Sequence, residues 1–182
     1  MDSSDILTLI EKDPWMMEIL RTVEVLDLRD WWIGAGFVRG KVWDHLHGYK
    51  KRTPLPDIDI IYFDPKAVPI EDEVRIWKIV KNKYPDLKWS VTNTAFRHIR
   101  TGSLPYKNSS DCLSHWVETA TCVGVSLKDG NLSLTAPLGT LDLTSLILRP
   151  TDDYRNGKEM KKRIKEKLWL RKWPKLKVIL RK

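Results

Sequence analysis

Apolar positions recur at helical spacing near the start of the chain. In "SSDILTLIEKD", Ile6, Leu7, Leu9 and Ile10 form a stripe, with Ser3 or Ser4 as the expected N-cap. Asp13-Pro14 breaks that stripe and starts a second helix, since proline is tolerated in a first turn whose N–H has no partner. This helix carries Met17, Leu20 and Val23 and ends near Asp27. "WWIG" reads as a short buried strand. Positions 37, 38, 42, 43 and 46 are apolar at helix spacing, and Gly48 stands near the end as a stop. The loop "KKRTPLP" leads into "DIDIIYFD", a β-branched and aromatic strand bounded by Pro56 and Pro65.

Residues 70–83 predict an amphipathic helix with Ile70, Val74, Trp77, Ile79 and Val80. "LKWSV" predicts a strand and "TNTAFRHIR" a helix. "TCVGVSLKDGNLSLTAP" is a hairpin, because Asp129-Gly130 sits between two alternating runs. "GTLDLTSLIL" is a short helix. Residues 157–172 predict one last helix with an apolar stripe of Met160, Ile164 and Leu168. The resulting order, α-α-β-α-β-α-β-α-β-β-α-α, is a mixed α/β (α+β) layout: a small mixed sheet flanked by helices. Residues 1–150 are expected to form the main domain, and 151–182 a basic helical extension.

The 182 residues suit one domain with a small appendage. No apolar run reaches the roughly 18 residues of a membrane span. The acidic start "MDSSDILTLIEKD" lacks the features of a secretory signal. Cys112 and Cys122 form no metal-type pair and are read as free thiols in a reducing compartment, which places the protein in the cytoplasm. The net charge of +8 is uneven. Residues 155–182 hold thirteen Lys or Arg against two Glu, a net of +11, leaving −3 over the other 154 residues. Such a tail favours polyanions, nucleic acid among them, although a cationic helix is also compatible with a simple solvated face. Trp169 and Trp173, four apart, suit either stacking on bases or packing under the stripe.

Candidate chemistry concentrates between residues 31 and 64. Gly34 and Gly36 lie between a strand and a helix, where glycine lets the backbone approach a bulky anion. The helix start offers unpaired N–H groups, and Arg39 in its first turn can fork onto phosphate oxygens. The alternative is a tight strand-to-helix connection with Arg39 on the surface. A dinucleotide fingerprint is disfavoured, because its third glycine position is Arg39 and the acids precede the apolar run "IIYF". Asp57 and Asp59, at i and i+2 of a strand, share a face. Two adjacent carboxylates are costly unless a cation lies between them, and Mg²⁺ suits such hard oxygen donors. A solvated acidic strand end is the plainer alternative. No zinc spacing and no Ser-His-Asp motif is present.

"GAGFVRGKVWDHLHGYKKRTPLPDIDIIYF" resembles the head of the tRNA CCA-adding enzymes and the wider polymerase-β-like nucleotidyltransferase superfamily. With "WSVTNTAFRH", "VETATCVGV" and "APLGTLDL" following in order, the chain from about 30 to 150 is similar to a small bacterial nucleotidyltransferase-like family of little assigned function. The resemblance implies the nucleotidyltransferase fold, a bound NTP and a divalent ion, Mg²⁺ or Mn²⁺, held by Asp57 and Asp59. Gly34, Gly36, Arg39 and Asn93 are the implied nucleotide contacts. The implied reaction moves a nucleoside monophosphate to a hydroxyl of RNA, protein or a small molecule and releases pyrophosphate.

Three positions depart from the pattern. Gly40 stands where these families have Asn or Asp, and Thr94 where the small family has Gln. By position, the third carboxylate of the superfamily is Ser90, a neutral hydroxyl. Glu118 is the first stand-in for it and Asp142 the second, with a pairing of Glu118 to Arg39 or Arg97 as the structural alternative. His98, like Asn93, suits either a contact with the nucleotide or a structural hydrogen bond. The alternative to an enzyme is a nucleotide- or RNA-binding protein on the same fold with weakened catalysis.

Overall fold

The computed structural model describes residues 1–180, so Arg181 and Lys182 of the basic segment lie outside the described residues. Two helices, α1 (Ser3–Glu11) and α2 (Pro14–Glu24), open the chain. Asp2, not Ser3 or Ser4, caps α1: its carboxylate accepts the N–H groups of Ser4 and Asp5, and Asp5 reciprocates at the Asp2 N–H. Asp13 caps α2 with Pro14 just inside, as the sequence suggests.

A five-stranded mixed sheet has the order β3-β2-β1-β4-β5. Its strands are β1 (Trp32–Gly34), β2 (Ile58–Tyr62), β3 (Trp89–Asn93), β4 (Gly124–Lys128) and β5 (Asn131–Thr135). Only β2 and β3 run parallel; the other neighbours are antiparallel. Helix α3 (Gly36–Leu46) crosses from β1 to β2, and α4 (Glu71–Lys83) from β2 to β3. The α4 face turned inward carries Ile76 and Val80, whereas Val74, Trp77 and Ile79 are exposed. Residues 97–101 form α5 after a 3-10 turn at 94–96, α6 covers Ser109–Ser114 and α7 covers Leu141–Thr144. Asp129 and Gly130, both at positive φ, make the β4–β5 hairpin turn.

On β2, Ile58, Ile60 and Tyr62 point into the main core, which also holds Ile6, Ile10, Leu20, Phe37, Val42 and Val125. The period of two sends Asp57, Asp59 and Ile61 to the opposite face.

The C-terminal segment packs into the same core as the sheet. The expected single helix over 157–172 is broken at Leu168, whose φ of 53° ends α8 (Lys158–Glu166) and begins α9 (Trp169–Lys172). Leu168 is therefore exposed rather than part of the stripe. Strand β6 (Ile147–Leu148) then pairs in parallel with β7 (Lys177–Val178). Met160, Ile164, Trp169, Trp173 and Leu176 belong to the same core as the sheet. Both tryptophans pack edge-on against Trp43 of α3, with centroids 5.9 and 5.1 Å away. The Trp173 indole donates to Asp44 at 2.7 Å. Among the described residues no helix is long and apolar enough to cross a membrane.

Candidate active site

The connection from β1 to α3 sets the floor of a cleft of about 220 Å³. Gly34 pairs with Asp59 on one side and Gly124 on the other. It does not line the cleft, and it is not the residue that bends the chain. Ala35 does that, at φ 43° and ψ −109°. A Cβ on Gly34 would lie 2.9 Å from the Trp116 ring, so this glycine makes room for an indole beside the acidic strand. Gly36 opens α3 and lines the cleft. No side chain caps the helix start, so its first N–H groups face the cleft without a side-chain acceptor.

Asp57 and Asp59 line the cleft from the head of β2. Burial, reinforced by the Asp57 charge, pushes the Asp59 carboxyl up to about 6; Ser90, Lys167 and Arg39 oppose that rise. Ser90 lies directly across from Asp59 in the β2–β3 register, at the third-acid position that the sequence assigned to it.

Arg39 is 3% exposed, and its guanidinium lies over the rings of Trp43 and Trp169 at 5.0 and 4.4 Å. Its Nε has no hydrogen-bond partner, and no carboxylate lies within ion-pair distance among the described residues. Burial drives its pKa down to about 10, against the field of Glu118. The surface location offered as an alternative is thus excluded. Arg163 and Lys167, four apart on α8 and just beyond it, enter the same cleft, as does Arg97. Burial and the neighbouring Arg163 lower the Lys167 pKa. Sequence reasoning took the basic segment as one surface. The signal that could have separated these two cations is their i, i+4 spacing on the helix face adjacent to Met160 and Ile164.

Like Gly34, the expected site residues Glu118 and Asn93 do not line the cleft. Glu118 is fully buried and accepts from Arg163 Nε at 2.8 Å and Nη2 at 3.4 Å, and from Thr121 Oγ1 at 3.1 Å. Its oxygens are occupied by that ion pair, and it does not line the cleft with Asp57 and Asp59. The pairing partner is Arg163, not Arg39 or Arg97. Asn93 sits at the far end of β3, opposite Tyr62. Its side chain holds Asp64 through both backbone groups and caps the 3-10 turn at Ala95, a structural role away from the cleft. Asp142, the second stand-in, is bound by Arg149 and Thr119. His98 is absent from the cleft lining.

Asp57 and Asp59 are the carboxylates available to a metal. Among the described residues no cluster of three or more His, Cys, Asp or Glu could hold one. The pair fits an ion that takes two carboxylates from the protein and completes its shell with phosphate oxygens and water, as Mg²⁺ does. Burial is the larger cause of the raised Asp59 carboxyl and the Asp57 charge the second, a charge that a cation between the two would offset.

A family model described as nucleotidyltransferase matches residues 21–178. An NMR structure described as revealing a CCA-adding enzyme head domain is 28% identical, with a TM-score of 0.85 over 99% of this chain and 97% of that one. The Thermotoga maritima CCA-adding enzyme in complex with tRNA is 16% identical, with a TM-score of 0.58, and 98% of this chain aligns to 42% of it. A CCA-adding enzyme in complex with CTP gives 15% identity and a TM-score of 0.57, with 98% of this chain aligned to 43% of that one. No protein of curated function matches the sequence.

Proposed function

The chain belongs to the nucleotidyltransferase family whose model spans residues 21–178, and on that premise we propose that it moves a nucleoside monophosphate from an NTP to a hydroxyl acceptor with release of pyrophosphate. The observation that carries this reading is Arg39: a guanidinium buried without an ion-pair partner among the described residues, in a cleft that Asp57 and Asp59 also line. A buried cation of this kind is stabilised when an anion arrives. Arg39, the start of α3 and Lys167 bind the triphosphate. Asp57 and Asp59 hold a Mg²⁺ or Mn²⁺ ion, which when bound supplies Lewis acidity and neutralises phosphate charge. The acceptor oxygen forms a bond to the α-phosphorus, the bond from that phosphorus to the bridging oxygen breaks, and pyrophosphate carries the electron pair away. Arg163, held by Glu118, and Lys167 face the charge that builds on the leaving group.

CCA-adding enzymes have been solved with tRNA and with CTP. RNA is accordingly the first acceptor to test here, with exposed Lys161, Lys162 and Lys165 of α8 as its phosphate contacts. One observation favours a second reading. Ser90 opposite Asp59 leaves the site without a third carboxylate, as in a nucleotide- or RNA-binding protein with weakened turnover.

Two measurements test the proposal. Mg²⁺-dependent NTP binding should be lost in Asp57→Asn/Asp59→Asn; equal binding would remove both residues from the metal role. Incubation with each α-labelled NTP, Mg²⁺ or Mn²⁺ and total cell RNA should move label to the acceptor. Retention of nucleotide without transfer would favour the binding protein.

A further inference from the structure

The reaction just described releases a proton from the acceptor hydroxyl, and the residue at the usual place of the third acid cannot take it. Ser90 is neutral, and Asp57 and Asp59 are committed to the cation. Another basic group lines the cleft. His115 follows α6 and is exposed to the cleft on one side. On its other side it borders a second cleft of about 450 Å³ formed with residues 103–107, Asp111 and Asp153. Its Nδ1 lies 2.6 Å from Asp153 Oδ2, which fixes the ring orientation. Among the described residues its Nε2 has no hydrogen-bond partner; the carboxylate oxygen of Asp111 is 4.0 Å away, too far for a hydrogen bond. The Tyr106 ring packs at 5.4 Å.

We propose that His115, oriented by Asp153, is the base that takes the proton of the acceptor hydroxyl, and that the acceptor reaches the α-phosphorus from the second cleft. The proposal rests on the nucleotide reading of the first cleft. With Nδ1–H donated to Asp153, Nε2 keeps its lone pair, on a residue that lines both clefts. A carboxylate that holds the imidazole in one tautomer is the arrangement by which histidine serves as a base elsewhere. The proton moves from the acceptor oxygen to Nε2 as the new phosphorus–oxygen bond forms, and the imidazolium returns it to water after pyrophosphate leaves. Asp153 is a positioning residue. Asp153, Asp111 and Tyr106 surround the ring directly. The other charged groups lining the two clefts are Arg39, Arg97, Arg163, Lys167, Asp57 and Asp59 in the first and Lys107 in the second.

The test pairs a spectroscopic readout with kinetics. In ¹⁵N-histidine protein, His115 should show protonated Nδ1 and lone-pair Nε2. Addition of the non-reactive α,β-methylene analogue of each NTP with Mg²⁺ should move the His115 resonances. His115→Gln should bind the same analogues within about twofold of wild type and melt at the same temperature, its side chain being 43% exposed. In label transfer to total RNA it should lose about 10²–10⁴-fold in rate, together with the rise of rate with pH that a general base gives. Asp153→Asn should lose less and shift that rise. Analogue that binds without touching the His115 resonances, or His115→Gln with wild-type rate and pH profile, overturns this proposal alone. A chain that binds no nucleotide, or binds it and transfers nothing, overturns the nucleotidyl-transfer reading and this one with it.

Discussion

Replacing Arg39 by methionine should stabilise the empty protein while removing its affinity for nucleotide. Burial lowers the guanidinium pKa from 12.5 to about 10. At about 1.4 kcal/mol per unit, the charged form is disfavoured in the fold by about 3 kcal/mol. Stacking on Trp43 and Trp169 returns about 1 kcal/mol per ring. Methionine is flexible enough to fill the space between the indoles. The net gain is on the order of 1 kcal/mol, a rise in Tm of about 2–4 °C for a domain of this size.

The sign with pH follows. A base whose folded pKa is depressed imposes its cost at every pH below the folded pKa, and the cost fades only as pH rises from about 10 towards 12.5. The Tm difference between variant and wild type should therefore be constant from about pH 8 to 9, above the titration of Asp59, whose carboxyl Arg39 also influences. Scanning calorimetry without nucleotide measures it, and titration with NTP and Mg²⁺ measures the loss of binding. A drop in Tm of several degrees, or a difference that varies across that range, would show that Arg39 is a structural cation rather than one held for an anion.

Three further outcomes are expected. Glu118→Gln breaks a fully buried pair, which costs roughly 3 kcal/mol, the lower end for such pairs because Arg163 is 26% exposed and reaches water. Thermal melts should fall by about 6–12 °C while label transfer at low temperature stays within about tenfold of wild type; an unchanged melt with lost transfer would restore Glu118 to the metal site. Gly34→Ala drives a methyl against the Trp116 ring at 2.9 Å on a strand paired on both sides, costing about 1–3 kcal/mol by denaturant titration. A chain ending at Pro150 should show no cooperative unfolding by circular dichroism, because it loses Met160, Ile164, Trp169 and Trp173 from the core.

Features governed by neighbours in sequence were legible. The period of two placed Asp57 and Asp59 on one face, Asp129-Gly130 marked the hairpin, and Asp13-Pro14 marked the start of α2. Matching the chain to a family pattern put Ser90 at the third-acid position, and the parallel β2–β3 register sets it opposite Asp59. What the sequence left open depended on distant partners. Asn93 has the chemistry of a nucleotide contact, yet its amide is spent on the Asp64 backbone 29 residues away. Glu118 has the chemistry of a metal ligand, yet a guanidinium 45 residues on reaches it first. The turn before α3 reads as glycine chemistry, but tertiary packing puts the strained backbone on Ala35 and gives Gly34 to the Trp116 ring.

The basic segment shows how one stretch serves two ends. Its charge alone suggests a uniform anion-seeking surface, but the break at Leu168 divides it. Lys161, Lys162 and Lys165 stay in solvent, while Arg163 and Lys167 turn inward to the cleft. What holds that geometry is the packing of Trp169 and Trp173 on Trp43, whose ring also lies beneath the Arg39 guanidinium. The same indole thus anchors the tail and shelters the buried cation. Removing the tail would expose Arg39 to water and withdraw Arg163 and Lys167 together. Docking of the C-terminal segment and assembly of the cationic cleft are therefore one event, and the cleft draws its cations from both sides of residue 150.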